Sequence, residues 1–408
     1  MLIRRFLSTR LAAETSWISR YGNATQRELG DDEEATALSA LANLPEDLFK
    51  IILTYLPVES IIIASSVCKR WHNVVTSKSF KFNLSNVPPQ KPWYFMFTSS
   101  GTNVPMGYAY DPIFQKWNKI QLPFIRSRNF VVASSSGLVC FQSNGSKIDE
   151  LRVCNPITKA CRKIKKPPPG LRYSDYNALA LSVNRESHCY SVAIVKSRYC
   201  TGTGNFFQCN ISICIYNSEQ VTWTVPLAEE LMGWRGGDES VICNGVLYFL
   251  VYSIGGGQPE NRHGLIEYNM ANPSSLATGL ITVPFTLTCG RLMNLKEKLV
   301  MVGGIATPDQ PSIITGIGIW VLNDRSWEEI ARMPEELFFQ SFGEFDDTFE
   351  SRGADDLIYI QCYEAPVLVI FDMNNGRWKW SPKCHVPKLH TLHLFACFSL
   401  EPRLEMEP

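Results

Sequence analysis

A chain of 408 residues that is 45% apolar and 19% charged has room for one small and one large globular unit with real cores. Lysine plus arginine and aspartate plus glutamate both number 39, so no net field draws the chain to nucleic acid or an anionic membrane surface. Thirteen cysteines without paired CxxC elements read as reduced, buried thiols, and no apolar run reaches the length of a membrane span. The expected compartment is therefore nucleus or cytoplasm.

Residues 1–39 read as a basic and then acidic leader. Within residues 1–27, Arg4, Arg5, Arg10, Arg20 and Arg27 face a single acid, Glu14, with Leu2, Ile3, Phe6, Leu7 and Leu11 interspersed. That composition is also that of a mitochondrial transit peptide, so an organellar destination stays open beside an unstructured leader. Asp31 to Glu34 reads as a solvated linker.

Helical periodicity occupies residues 40–84. Asn43 suits an N-cap and Pro45 the first turn. Leu44, Leu48, Ile51, Ile52, Tyr55 and Leu56 then recur at helical spacing until Pro57. A second stretch, Val58 to Val67, carries Ile61, Ile62 and Ile63. A third places Val67, Trp71, Val74 and Val75 on one stripe. Three helices in about forty residues cannot hide their apolar faces by themselves, so a partner or neighbouring unit is expected to cover them.

From residue 93 the period changes to that of strands. WYFMFT, GLVCF, YSVAIV, ISICIY, GVLYFLVY, KLVMVGG, LIYIQC and VLVIF are short, rich in β-branched and aromatic residues, and separated by turn residues. A phrase recurs through them: Tyr110-Asp111 with Trp117, Asn155 with Cys161, Tyr216-Asn217 with Trp223, Tyr268-Asn269, Leu322-Asn323 with Trp327, and Phe371-Asp372 with Trp378. Aspartate and asparagine suit a tight turn because their side chains bond back to the backbone. Successive phrases lie about 44 to 62 residues apart, the scale of a four-stranded propeller blade. Six phrases predict six blades over residues 93–400. The first unit is one strand short, and the strand at 390–400 is predicted to return and complete it. A pair of packed sheets is the alternative architecture. Residues 401–408 remain as a C-terminal tail.

Little in the chain suggests chemistry. Cys384, His385, His390, His393 and Cys397 form the densest potential metal cluster, but a strand would turn His390 and His393 to opposite faces. Gly202-Thr203-Gly204 and Gly255-Gly256-Gly257 precede no phosphate-binding helix. Lys163, Lys165 and Lys166 beside Pro167-Pro168-Pro169 read as a solvated loop. No catalytic residue, metal or cofactor is expected.

Residues 44–80 resemble an F-box, with Leu44-Pro45, Leu48, Leu56-Pro57, Ser60, Val67-Cys68-Lys69, Trp71 and Phe80 at that motif's positions. The region behind it resembles the kelch-like propellers attached to plant F-box proteins. Val302-Gly303-Gly304 is similar to the kelch double glycine, and GYAYDP, GWRGG, TCGRLMN, GIGIWVL and FGEFD are similar to strings of one plant member. The resemblance implies a mainly β chain: a six-bladed kelch-like β-propeller preceded by a small three-helix F-box module. It further implies a non-enzymatic substrate-recognition subunit of a Skp-cullin-F-box ubiquitin ligase. Leu44, Pro45, Leu48, Leu56, Pro57, Val67 and Trp71 would contact a Skp-type adaptor, and through it a cullin. Trp234, Arg235, Arg262, Arg291 and Phe339 are the candidate contacts to a protein target, since tryptophan and arginine are favoured anchors on exposed loops. A kelch scaffold outside any ligase is the alternative. A propeller enzyme of the galactose oxidase type is a lesser one, because the six histidines lack the pattern its copper site needs.

Overall fold

The structure is a computed structural model, and it describes residues 44–99, 106–122, 125, 130–143, 150–167, 174, 176–200, 208–254, 262–272, 279–283, 285–343, 348–362, 366–386 and 391–408. The leader, Asn43, Gly202 to Gly204, Gly255 to Gly257 and His390 lie outside the described residues. The chain divides into two units, one taking in residues up to Gln90 with Pro402–Glu405, the other Lys91–Glu401 with Met406–Pro408.

Among the described residues the first unit holds four helices where the periodicity of residues 40–84 predicts three: α1 (Glu46–Thr54), α2 (Val58–Val67), α3 (Lys69–Thr76) and α4 (Lys78–Ser85). Pro45 and Pro57 stand immediately before α1 and α2, where a missing N–H costs nothing. Cys68 is extended and separates α2 from α3. The additional helix, α4, starts at Ser77, whose hydroxyl oxygen accepts from Phe80 N at 3.2 Å. Phe49, Leu53, Ile61, Ala64, Trp71, Val74, Phe80 and Leu84 form the core, with Leu404 of the tail packed against it. The Gln90 side chain donates to Leu56 O at 2.8 Å and accepts from Val58 N at 2.9 Å, satisfying the backbone on both sides of Pro57.

The second unit is the predicted six-bladed ring, each blade a four-stranded antiparallel sheet. Blade one joins β1 (Trp93–Ser99), β2 (Met106–Asp111) and β3 (Lys116–Ile120) to the last strand of the chain. Blade two is β4 (Phe130–Ser135), β5 (Leu138–Ser143), β6 (Leu151–Cys154) and β7 (Cys161–Ile164). Blade three is β8 (Tyr176–Val183), β9 (Tyr190–Tyr199), β10 (Gln208–Asn217) and β11 (Thr222–Met232). Blade four is β12 (Trp234–Cys243), β13 (Val246–Ser253), β14 (His263–Asn269) and β15 (Leu280–Thr282). Blade five is β16 (Leu287–Leu295), β17 (Lys298–Ile305), β18 (Gly316–Asn323) and β19 (Ser326–Arg332). A short helix, α5 (Glu335–Ser341), leads to blade six: β20 (Glu350–Ala354), β21 (Leu357–Gln361), β22 (Leu368–Asp372) and β23 (Arg377–Trp380). The final strand, β24 (Thr391–Leu400), pairs with β1, setting Trp93 opposite Leu400 and Phe95 opposite Phe398. Strands β4, β8, β12, β16, β20 and β24 neighbour one another in that cyclic order around the axis. The return of β24 removes the open edge that blade one would otherwise present.

The repeated phrase acquires a physical meaning here. Asp111, Asn155, Asn217 and Asn269 each accept, through one side-chain oxygen, the N–H groups two and three residues on. Tyr110 faces Trp117, Tyr216 faces Trp223 and Phe371 faces Trp378 across the hairpins so formed, with ring centroids 5.3, 5.4 and 4.6 Å apart. The indole N–H then ties blade to blade: Trp117 donates to Pro382 O at 2.7 Å and Trp223 to Lys165 O at 2.8 Å. Asn217→Ala, which frees the Glu219 and Gln220 amides to bond only water, is expected to cost about 1 kcal/mol, read as a lower denaturant midpoint at constant slope.

Blade five carries the double glycine. A methyl on Gly303 would meet Leu287 at 2.9 Å and the Trp320 ring at 3.0 Å, so the motif admits an indole between strands.

Candidate docking face and propeller end

Helix α1 is apolar on two sides. Phe49 and Leu53 turn into the four-helix core, where the Phe49 ring lies 4.8 Å from that of Trp71. Leu48, Ile51 and Tyr55 turn the other way, within the first unit, and keep 51%, 48% and 71% of their surface exposed. Their spacing of three and four residues makes one continuous stripe, and Ile62 of α2 is a further exposed apolar side chain. The helix is oriented by Arg70, which donates to Leu44 O at 3.0 Å and sits over the Phe49 ring.

The residues carried over from the motif separate into two groups. Pro45 and Leu48 are exposed and Pro57 is half-buried. Leu44, Leu56 and Val67 are half-buried against the helical core. Trp71 is buried within it, so its role is to hold the helices together rather than to offer a contact. Ile51 and Tyr55 were absent from that set. The signal is in the sequence: a short helix apolar on two sides has one face more than a core of four helices can bury.

The two ends of the ring differ. At one end, strands one and two of a blade are joined by two-residue turns such as Ser136-Gly137, Asn244-Gly245 and Lys296-Glu297, both residues of each with positive φ. The chain enters β1 at Trp93 and leaves β24 at Leu400 at this turn end. At the opposite end, strands two and three are joined in blades three, four and five by connections of 8 to 10 residues.

Most of the propeller candidates gather at that loop end, though not as exposed loops. Trp234 and Arg235 open β12 and are half-buried. Trp234 packs on Gly264 of the same blade, and Arg235 is clamped between the rings of Tyr176 and Tyr252, at 4.2 and 4.6 Å. Arg262 is exposed beside them. His263, next in sequence, is buried, and neither ring nitrogen has a hydrogen-bond partner among the described residues. Burial, with Arg262 and Arg235 nearby, holds its imidazole down at about 4, so it is neutral. Phe339, on α5, is 73% exposed while its neighbour Phe338 stacks on Phe342.

Arg291 is a correction to the sequence reading: it is 4% exposed on β16 beside the ring axis. Its Nε lies 3.4 Å from Glu350 and 3.8 Å from Glu239. Arg352 donates to both Glu239 oxygens at 3.1 Å and lies 3.0 Å from Glu350. Two arginines and two glutamates from β12, β16 and β20 thus form one buried network. A lone arginine in sequence cannot be told from a surface anchor; only the closed ring brings its two acids to it.

Of the potential metal ligands, Cys384 and Cys397 are buried, His385 is exposed and His393 pairs with Phe97 in the ladder. Among the described residues no three His, Cys, Asp or Glu side chains converge as metal ligands would, and no helix is long and apolar enough to cross a membrane.

Comparison with known proteins meets this geometry at both units. Residues 41–83 match the F-box domain model. Residues 117–289 match the β-propeller model named for the F-box protein At3g26010, and residues 286–334 match the kelch motif. The chain is 49% identical to the F-box/kelch-repeat protein At3g61590 of Arabidopsis thaliana, over 98% of this chain and all of that one. It is also 25% identical to F-box only protein 6 of the same plant, covering 86% of this chain and 72% of that one. A third Arabidopsis relative, named SKP1-interacting partner 15, is 25% identical over 83% of this chain and 91% of its own length.

Proposed function

Because the chain belongs to the F-box/kelch-repeat family, we propose that it is the substrate-recognition subunit of a Skp-cullin-F-box ubiquitin ligase. The observation that carries this reading is the exposed apolar stripe of Leu48, Ile51 and Tyr55 on the helical unit. Three large side chains in a row on a helix form the kind of patch that marks a protein interface. A relative named for its interaction with SKP1 supports a Skp-type adaptor as the protein that covers it. The subunit works by proximity and is not itself catalytic: it holds a target protein near the conjugating enzyme and raises the effective concentration of the target's lysines.

Target recognition belongs, in this reading, to the loop end of the ring, with Arg235, Arg262 and Phe339 as the contacts that remain accessible. Trp234 contributes by packing, and Arg291 by holding the axis. The chain acts in the nucleus or cytoplasm, and a fluorescent fusion imaged with and without residues 1–27 checks that placement.

The decisive experiment is reconstitution. The full chain, expressed with a Skp-type adaptor and a cullin, should purify as a stable complex that transfers ubiquitin with conjugating enzyme present. A chain that purifies free of adaptor at micromolar concentrations is a kelch scaffold instead, and the ligase reading fails.

A further inference from the structure

The turn-end hairpin of blade two departs from its counterparts. In blades one, three and six, the residue before the turn Asp or Asn faces a tryptophan seven positions on, as Tyr110–Trp117, Tyr216–Trp223 and Phe371–Trp378. In blade two the same two positions hold Cys154 and Cys161, directly opposite each other in the β6–β7 ladder. Among the described residues, no other ladder sets two cysteines opposite each other.

The pair is built asymmetrically. Cys154 is fully buried beside Phe141 and Phe398, and its thiol donates to the Cys161 sulfur at 2.7 Å. Cys161 is exposed. Arg152, two ladder positions away and so on the same face, donates to Glu150 at 2.7 and 3.1 Å, and Lys163 donates to Glu150 at 2.7 Å. The hydrogen bond from Cys154, followed by Arg152, brings the Cys161 thiol down to about 7, while burial pushes Cys154 up. One sulfur is therefore an accessible nucleophile and the other a protonated thiol waiting behind it.

The backbone is suited to joining them. Asn155 N donates to Ala160 O at 2.9 Å, so the next pair outward, Cys154 with Cys161, is the non-hydrogen-bonded type. Such pairs hold their Cα atoms about 4.5 Å apart, inside the roughly 4.4 to 6.8 Å window that a disulfide spans.

We propose that Cys154 and Cys161 are a modification site: a dithiol that hydroperoxides oxidise to a disulfide across the blade-two hairpin. The Cys161 thiolate attacks one peroxide oxygen, the O–O bond breaks, and sulfenic acid forms as hydroxide leaves. The Cys154 sulfur then attacks the Cys161 sulfur, the S–O bond breaks, and water departs with the Cys154 proton. Two electrons pass from the thiols to the peroxide, and a small thiol reductant reverses the change.

The test uses the reduced full chain and hydrogen peroxide, followed by alkylation, trypsin and mass spectrometry. Cleavage after Arg152, Lys159 and Arg162 leaves each cysteine on its own peptide, so the disulfide appears as a linked pair that dithiothreitol separates. The pair should form about ten-fold faster than peroxide removes alkylation at the exposed Cys68, because Cys161 is about half thiolate at pH 7 and has a second sulfur 2.7 Å away to trap its sulfenic acid. Cys154→Ser should stop at a sulfenic acid on Cys161 that dimedone captures. If Cys161 stays alkylatable at peroxide levels that oxidise Cys68, or the linked pair forms only in urea, the proposal fails. The unsubstituted chain decides this even if the serine variant does not fold.

Discussion

Leu48→Asp with Tyr55→Asp should abolish co-purification of the chain with a Skp-type adaptor and leave its thermal unfolding unchanged. Both side chains lie more than half in solvent and belong to no core cluster, so nothing inside the helical unit depends on them. An apolar anchor at the centre of an interface is worth about 2 kcal/mol or more, and two of them account for roughly a thousand-fold in affinity. Burying two carboxylates against an apolar partner adds a desolvation penalty on top. The contrast is with Trp71→Ala or Phe49→Ala, whose rings fill the core at 4.8 Å from each other. Those variants should cost about 3 to 5 kcal/mol in stability and lose adaptor binding only because the helices unfold. Calorimetry beside the binding assay separates the two causes. A double Asp variant that binds as tightly as the parent would place the docking face elsewhere on the unit.

That division between core and face is where the sequence was least legible. Periodicity located α1, but a helix with apolar residues at 44, 48, 49, 51, 52, 53, 55 and 56 satisfies more than one stripe. The choice of Phe49 and Leu53 for the core is made by α3 and α4, which the local pattern around Leu48 does not contain. The propeller was more legible because its signal is repeated. An Asp or Asn at a hairpin turn is local chemistry, bonded back to its own turn at Asp111, Asn155, Asn217 and Asn269 and flanked by a facing aromatic and tryptophan in blades one, three and six, and the six turn positions count the blades. The return of β24 could be read because blade one lacked a strand. Which residues reach the axis could not, since Glu239, Arg291 and Glu350 become neighbours through ring closure rather than chain proximity. The sequence places Trp234 and Arg235 on exposed loops only through their residue types, since tryptophan and arginine are favoured anchors there, whereas they open strand β12. The glycines that follow, Gly236 and Gly237, let β12 pass close to its neighbours: a methyl on Gly236 would come 2.7 Å from Ser197 of β9.

The axis network should make the ring's stability depend on pH in a direction opposite to that of most acidic side chains. Burial lifts the Glu350 carboxyl to about 7, with Glu239 adding to the rise, while Arg352 and Arg291 pull against it. Its ordinary value, 4.5, applies once the chain is unfolded. Between 4.5 and about 7 the folded ring holds a proton that the unfolded chain has released, so stability from this group is full below 4.5 and falls as pH rises to about 7. The loss is on the order of 3 kcal/mol, and Glu350→Gln, which is neutral at every pH, should flatten that part of the profile. Arg352→Ala has the larger effect. It removes the partner of both Glu239 oxygens and leaves two buried acids with only Arg291 between them. A buried charge stripped of its partner costs about 3 to 5 kcal/mol, whereas replacing the whole group by apolar residues of similar volume is often neutral. Arg352→Met combined with Glu239→Leu should therefore recover much of what Arg352→Ala loses, the two changes being far from additive. Denaturant midpoints at pH 5 and pH 8 for the parent and these variants check both claims. Equal losses at the two pH values would mean that Glu350 stays ionised throughout and that the network holds as two full ion pairs.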